Sequence, residues 1–174
     1  MDWYEQLALV GHLAGAMALG AVLGIQRQRH DKPAGLRTHM LVAGASALFT
    51  MLGMSLALKF RNAANLQASG ADPIRILHAI VIGIGFLGAG TIVRRGGDEH
   101  VEGLTTAASI LMAAAIGIAV ALEEYPLAIA AALLGLVTLS VFGMIETRSR
   151  RFLRKKQDTK PLQSPEGKRP EGDE

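Results

Sequence analysis

Five apolar stretches dominate the chain, at about Gln6–Ile25, Thr38–Leu58, Ile74–Val93, Leu104–Leu122 and Pro126–Ile145, and charged residues crowd the gaps between them. None shows the polar face at 3.6-residue spacing that a helix on a soluble core presents. A helix rising about 1.5 Å per residue needs roughly 20 such residues to cross a hydrocarbon core about 30 Å thick. Hydrocarbon offers no partner to an unpaired backbone group, so these stretches must be helices. Alternating strands of about ten residues, the signature of a membrane barrel, are not seen. The predicted fold class is therefore all-α: a polytopic bundle of five transmembrane helices over residues 1–146, followed by a tail over 147–174.

The basic residues give a direction. Arg27, Arg29, Lys32 and Arg37 lie in the first gap, Lys59, Arg61 and Arg75 at the second, Arg94 and Arg95 in the third, and none in the fourth. With five spans, 15 of the 18 Lys and Arg share one side with the tail. Basic residues stay on the cytoplasmic side, which predicts an outward N-terminus and a cytoplasmic C-terminus. The first span opens Asp2-Trp3-Tyr4-Glu5, without the basic start of a cleaved signal. It is expected to be retained, with Trp3 and Tyr4 as interface anchors.

Composition sharpens this picture. The 174 residues include no Cys, which excludes a disulfide framework and a thiolate metal site. The tail from Glu146 carries nine basic and six acidic residues with few apolar ones, and most of it is expected to be disordered. Its cluster from Arg148 to Lys156 reads as a topology determinant drawn to anionic lipid. No nucleotide-binding P-loop and no nucleophile–base set is found, so the chain is not expected to be an enzyme, to need a cofactor or to bind nucleic acid.

Glycine is concentrated in Gly83-Ile84-Gly85-Phe86-Leu87-Gly88-Ala89-Gly90. The letters contain G-x-G-x-x-G, but a dinucleotide fingerprint needs a strand before it and an acid about 20 residues on. Here the run lies inside an apolar span. Gly83, Gly85, Gly88 and Gly90 are read instead as a helix-packing face, with a glycine-lined ion path as the alternative. Gly11/Gly15 and Gly20/Gly24 add two G-x-x-x-G pairs on the first span, suited to packing against the third span or a second subunit.

Polar residues gather at the predicted cytoplasmic face. Thr38, and Thr105 or Thr106, stand where spans two and four begin and are expected to cap them. Two helix starts beside Arg27, Arg37, Arg94 and Arg95 form an anion-attracting cluster unless acids such as Asp31, Asp98, Glu99 and Glu102 neutralise it. The candidate functional cluster is Gln26, Arg27, Arg37, Thr38, Arg94, Glu102, Thr105 and Thr106, with Arg37 expected to contact a helix end or an acid from the other loop. His12 and His78 are the ionisable residues expected within spans, near the outer ends. No span carries an Asp or Glu at its middle, so a buried Mg²⁺ cage is not expected.

At these residues the sequence resembles the MgtC/SapB family of bacterial inner-membrane proteins. The resemblance rests on Leu23-Gly24-Ile25-Gln26-Arg27-Gln28, Pro33-Ala34-Gly35-Leu36-Arg37-Thr38, the glycine run, and Gly103-Leu104-Thr105-Thr106-Ala107-Ala108-Ser109. It implies a multi-pass protein of the bacterial inner membrane linked to Mg²⁺ homeostasis or acid resistance. Two roles follow from it: a regulator of another membrane complex, such as ATP synthase or a cation pump, or a transporter or channel that carries Mg²⁺ or another ion along a glycine-lined path. The tight glycine faces favour a homodimer. Two departures stand out. The family usually has Glu where this chain has Gln26, and longer relatives carry a folded C-terminal domain where this chain has a polar tail.

Overall fold

A computed structural model describes residues 3–64, 72–94 and 101–158. The elements are α1 (Trp3–Arg29), α2 (Leu36–Ala64), α3 (Pro73–Ala89), β1 (Val93–Arg94), β2 (Val101–Glu102), α4 (Leu104–Ala121) and α5 (Tyr125–Asp158). Among the described residues, three segments are long and apolar enough to cross a membrane: α1, Leu36–Phe60 of α2, and α4. Ile74–Ala89 of α3 and Tyr125–Val141 of α5 are shorter apolar segments. The chain divides into two units, Met1–Ser140 and Val141–Glu174.

In the first unit α2 is the central element, packed against α1, α3 and α4. Its contacts need small residues. A Cβ on Gly20 would lie 2.8 Å from Ala43 Cβ, and one on Gly24 would lie 2.6 Å from Leu36 Cα. Glycine at both positions lets the α1 and α2 backbones approach closely. From the other side Gly117 of α4 sits so close to the Ala43 backbone that a Cβ would fall 2.8 Å from its carbonyl carbon. Ala43 is thus held between α1 and α4. The pairs Gly24–Leu36 and Gly20–His39 make α1 antiparallel to α2, whereas His39–Ser109 and Ala43–Gly117 advance together and make α2 parallel to α4. The core joins Ala16 and Leu23 of α1, Ala47 of α2, Ile116 and Val120 of α4, and Ala128 and Ala132 of α5. Outward-facing Leu, Ile and Phe side chains are numerous, among them Phe86, Ile82 and Leu134. Such a surface suits a hydrocarbon solvent.

The helix ends differ from the expected ones. Thr38 is not the cap of α2: the helix begins at Leu36, and Gly35 O accepts the first helical bond from His39 N. Neither Thr105 nor Thr106 caps α4. Gly103 holds that position at φ +96°, a left-handed conformation that suits glycine, without a side-chain cap bond. A side chain there would also strike the Thr91 carbonyl. Asp72 does cap α3, accepting from Ile74 N at 2.9 Å with Pro73 at the first helical position.

The apolar pattern carries span three to Val93, but α3 stops at Ala89, with Gly90 as its cap. Val93 and Arg94 instead pair antiparallel with Glu102 and Val101. The expected all-α fold therefore carries a short hairpin, with residues 95–100 outside the described set. Within the second unit α5 remains helical to Asp158, through residues whose polar composition predicts a weakly ordered tail. No Gly or Pro interrupts the run from Met144 to Lys160, and Arg, Lys, Leu and Gln are good helix formers. Residues 159–174 lie outside the described set.

Candidate functional site

The ends of α1, α2 and α4 meet at one face of the first unit. Arg27 occupies the last turn of α1, where the carbonyl-rich helix end favours a cation by roughly 0.3–1 kcal/mol. Its Nη2 donates to Thr106 Oγ1 in the first turn of α4. His39, on the first turn of α2, has Nδ1 2.8 Å from Gly35 O. A carbonyl only accepts, so this nitrogen carries a proton. Its Nε2 lies 3.0 Å from Ser109 Oγ, which in turn donates to Thr106 O at 2.8 Å. The four side chains are deeply enclosed, with Arg27 4% exposed, His39 0%, Thr106 2% and Ser109 4%. They add polar ties between three helices that glycine and alanine already bring close.

Helical periodicity explains why these residues meet. His39, Ala43, Ser46 and Thr50 follow i, i+4, i+7, i+11 spacing and line one buried stripe of α2. Thr106, Ser109, Ala113 and Gly117 form the facing stripe of α4. Small residues bring the helices close, and the hydroxyls and imidazole bond across the seam. Thr50 Oγ1 returns to Ser46 O at 2.7 Å, while Ser46 Oγ and Arg27 Nε find no partner among the described residues.

The remaining predicted residues go elsewhere. Arg37 is exposed and has no side-chain partner among the described residues, against the expected contact with a helix end or an acid of the other loop: α2 starts at Leu36, two residues before the expected Thr38, and this side chain faces outward. Thr105 is exposed as well, and Thr38 is half-buried. Glu102 is exposed on β2, and Arg94 lies in β1, with its side chain outside the described set. The expected convergence of all these residues is therefore reduced to Arg27 and Thr106, joined by His39 and Ser109. Gln26 points to α5, where its Nε2 donates to Leu139 O at 3.1 Å.

Of the glycine run, Gly88 packs on Ala107 of α4, where a Cβ would lie 3.4 Å from Ala107 Cβ, and Gly90 ends α3. Gly83 and Gly85 have nothing within 4 Å of where a Cβ would stand and are not packed against another helix among the described residues. The same holds for Gly11 and Gly15, while Gly20 and Gly24 pack on α2 rather than on the third span. His12 stands 5.9 Å from the Tyr125 ring, and His78 is exposed. No group of three or more His, Asp or Glu arranged to hold a metal occurs among the described residues.

The MgtC family matches residues 13–148, a stretch that contains the whole polar network. The chain belongs to this family. Among MgtC-family relatives, YhiD of Escherichia coli (strain K12), provisionally described as a magnesium transporter, is 40% identical over 136 residues, covering 78% of this chain and 60% of YhiD. Protein SapB of Bacillus subtilis (strain 168) is 33% identical over 139 residues, covering 80% of this chain and 58% of SapB. Protein MgtC of Salmonella typhimurium (strain LT2) is 41% identical over 123 residues, covering 71% of this chain and 47% of that protein. The chain thus spans roughly half to three-fifths of the length of these relatives. No solved structure matches the chain.

Membership gives the family motifs a physical content in this chain. Leu23 and Gly24 pack the end of α1, Gly35 starts α2, and Thr106 and Ser109 receive Arg27 and His39. His39 and Ser109 are absent from the predicted cluster. The legible signal for them is the heptad-like stripe of small and polar residues on α2 and α4, which a reading centred on charged residues passes over.

Proposed function

We infer that this chain is a multi-pass protein of the bacterial inner membrane that acts in Mg²⁺ homeostasis or acid resistance as a regulator of another transport complex, and not as an enzyme. The observation that carries this reading is the chemistry of the enclosed polar site. Its four side chains supply an arginine, an imidazole and two hydroxyls, bonded to one another and to backbone carbonyls. Mg²⁺ surrenders its water reluctantly and favours carboxylate oxygens, which this set lacks. The open glycines do not supply a polar path either, since Gly83 borders an apolar groove. A regulator needs a rigid body and an outer docking face, and the glycine-clamped bundle with its apolar exterior fits that need.

In this reading five helices cross the bilayer, the N-terminus is outside and the C-terminus cytoplasmic, and Mg²⁺ is at most sensed. Candidate partners are ATP synthase or a cation pump, and the open Gly11/Gly15 face is the candidate homodimer contact. The deciding experiment is Mg²⁺ flux into liposomes holding only this chain. Flux no faster than in empty liposomes is expected, with a change in proton pumping when ATP synthase is reconstituted alongside. Saturable Mg²⁺ uptake by the chain alone would replace the reading with transport, the alternative that the description of YhiD favours. A C-terminal reporter active only in the periplasm would overturn the orientation.

A further inference from the structure

A groove of about 580 Å³ runs between α2 and α3, lined by Ala45, Ser46 and Phe49 on one wall and by Arg75, Ala79 and Gly83, among others, on the other. The helices are close at one end, where a Cβ on Gly53 would crowd Ile76, and diverge along the groove. Gly83 opens the outer wall, since nothing lies within 4 Å of where its Cβ would be. From Arg75 to Ile84 the groove follows α3 for about 13 Å at 1.5 Å per residue. That is close to half of the roughly 30 Å hydrocarbon core, the depth of one leaflet. A partner helix would need a seam about twice as long.

Charge marks one end. Arg75 lies in the first turn of α3, exposed, and no side-chain partner holds its guanidinium among the described residues. The nearest acid in sequence, Asp72, uses its carboxylate to cap α3 at Ile74 N. An arginine at the end of a membrane helix stands at headgroup level, and its planar fork matches phosphate oxygens.

We propose that the α2–α3 groove is a binding site for an anionic phospholipid, one acyl chain lying between Phe49 and Gly83 and the phosphate on Arg75. The proposal rests on α3 lying in the bilayer and not on the regulatory role. Its readout, lipid retention, is independent of Mg²⁺ flux. The apolar walls take the chain, and the exposed cation at the narrow end, next to Ile76, selects the headgroup. One well-placed arginine near the membrane surface gives an anionic lipid an advantage of about fivefold.

The test is native mass spectrometry of the purified full chain in mild detergent, with phosphatidylglycerol or phosphatidylcholine carrying identical acyl chains. The parent is expected to retain one phosphatidylglycerol about fivefold more strongly than phosphatidylcholine. R75Q should bring that ratio close to one. G83L should fill the groove and reduce retention of both lipids, and its side chain enters open space, so the fold is preserved. R29Q, at an exposed arginine at the other end of the bundle, should behave as the parent. Circular dichroism checks that each variant keeps its helix content, and a lower-bulk G83A replaces G83L if that content falls. Lipid preference that survives R75Q, or retention that survives groove filling, overturns the proposal. So does a groove-filling variant that changes the oligomeric state but not lipid retention, because the groove would then be covered by a second copy.

Discussion

Substituting Gly117 by Ala is the most demanding test of the packing. The added Cβ would fall 2.8 Å from the Ala43 carbonyl carbon and 3.0 Å from its Cα, with the carbonyl oxygen nearer still. Ordinary contacts of this kind begin at about 3.5 Å. The neighbour cannot yield, because Ala43 is helical backbone, is 0% exposed, and has Gly20 of α1 pressed against its other side. The helices must therefore separate. Overpacking of this kind costs about 1–3 kcal/mol, against which the change from Gly to Ala inside a helix recovers about 0.5–1 kcal/mol. A net loss of about 0–2.5 kcal/mol, centred near 1 kcal/mol, is expected. Gly85→Ala is the control with opposite sign: its Cβ meets nothing within 4 Å, so it should gain the propensity term without the clash. Unfolding the purified protein from dodecyl maltoside with increasing SDS, followed by circular dichroism, measures both. If Gly117→Ala resists SDS as well as the parent does, α2 and α4 are not in backbone contact at Ala43. Gly20→Ala presses the same residue from the other side, so the double variant should deviate from additivity.

Gln26→Glu should destabilise the bundle by about 1–3 kcal/mol in the same titration, because an ionised carboxylate cannot donate to Leu139 O. Gain of stability would mean that the acid finds Arg27 instead. Arg27→Ala should impair growth in low Mg²⁺, while Arg37→Ala and Arg29→Ala should be tolerated; equal effects of all three would refute a role for the buried guanidinium. Ser109→Ala should cost about 1–3 kcal/mol by leaving His39 Nε2 without its partner, and Ser109→Thr should restore part of it if the hydroxyl is the cause.

Five apolar stretches are enough to read the helices, because hydrocarbon demands both length and apolarity and leaves few alternatives. Their ends are not readable with the same rules. Thr38, Thr105 and Thr106 have the chemistry of helix caps, yet Gly35 and Gly103 hold those positions, since what decides them is backbone approach and a left-handed φ. The hairpin has two residues per strand, too few for an alternation to show. Arg27 and Arg37 are equivalent as letters in a basic loop. Only the rotation of each helix separates them, sending one inward to Thr106 and the other outward. His39 is easily passed over because it stands beside charged residues at the edge of a span, although its spacing to Ala43, Ser46 and Thr50 places it on the buried stripe.

The bond pattern around Ser109 has a consequence in proton arithmetic. Its hydroxyl owns one proton and faces two groups, Thr106 O and His39 Nε2. With Nδ1 already donating to Gly35 O, a neutral ring leaves Nε2 bare, and the hydroxyl can serve the ring or the carbonyl but not both. A ring that holds a second proton donates from Nε2 to Ser109 Oγ, and the hydroxyl is released to Thr106 O. The number of hydrogen bonds made at the Ser109 hydroxyl therefore rises from one to two with a single proton, at the point where α2 and α4 both begin and where Thr106 also receives Arg27 from α1.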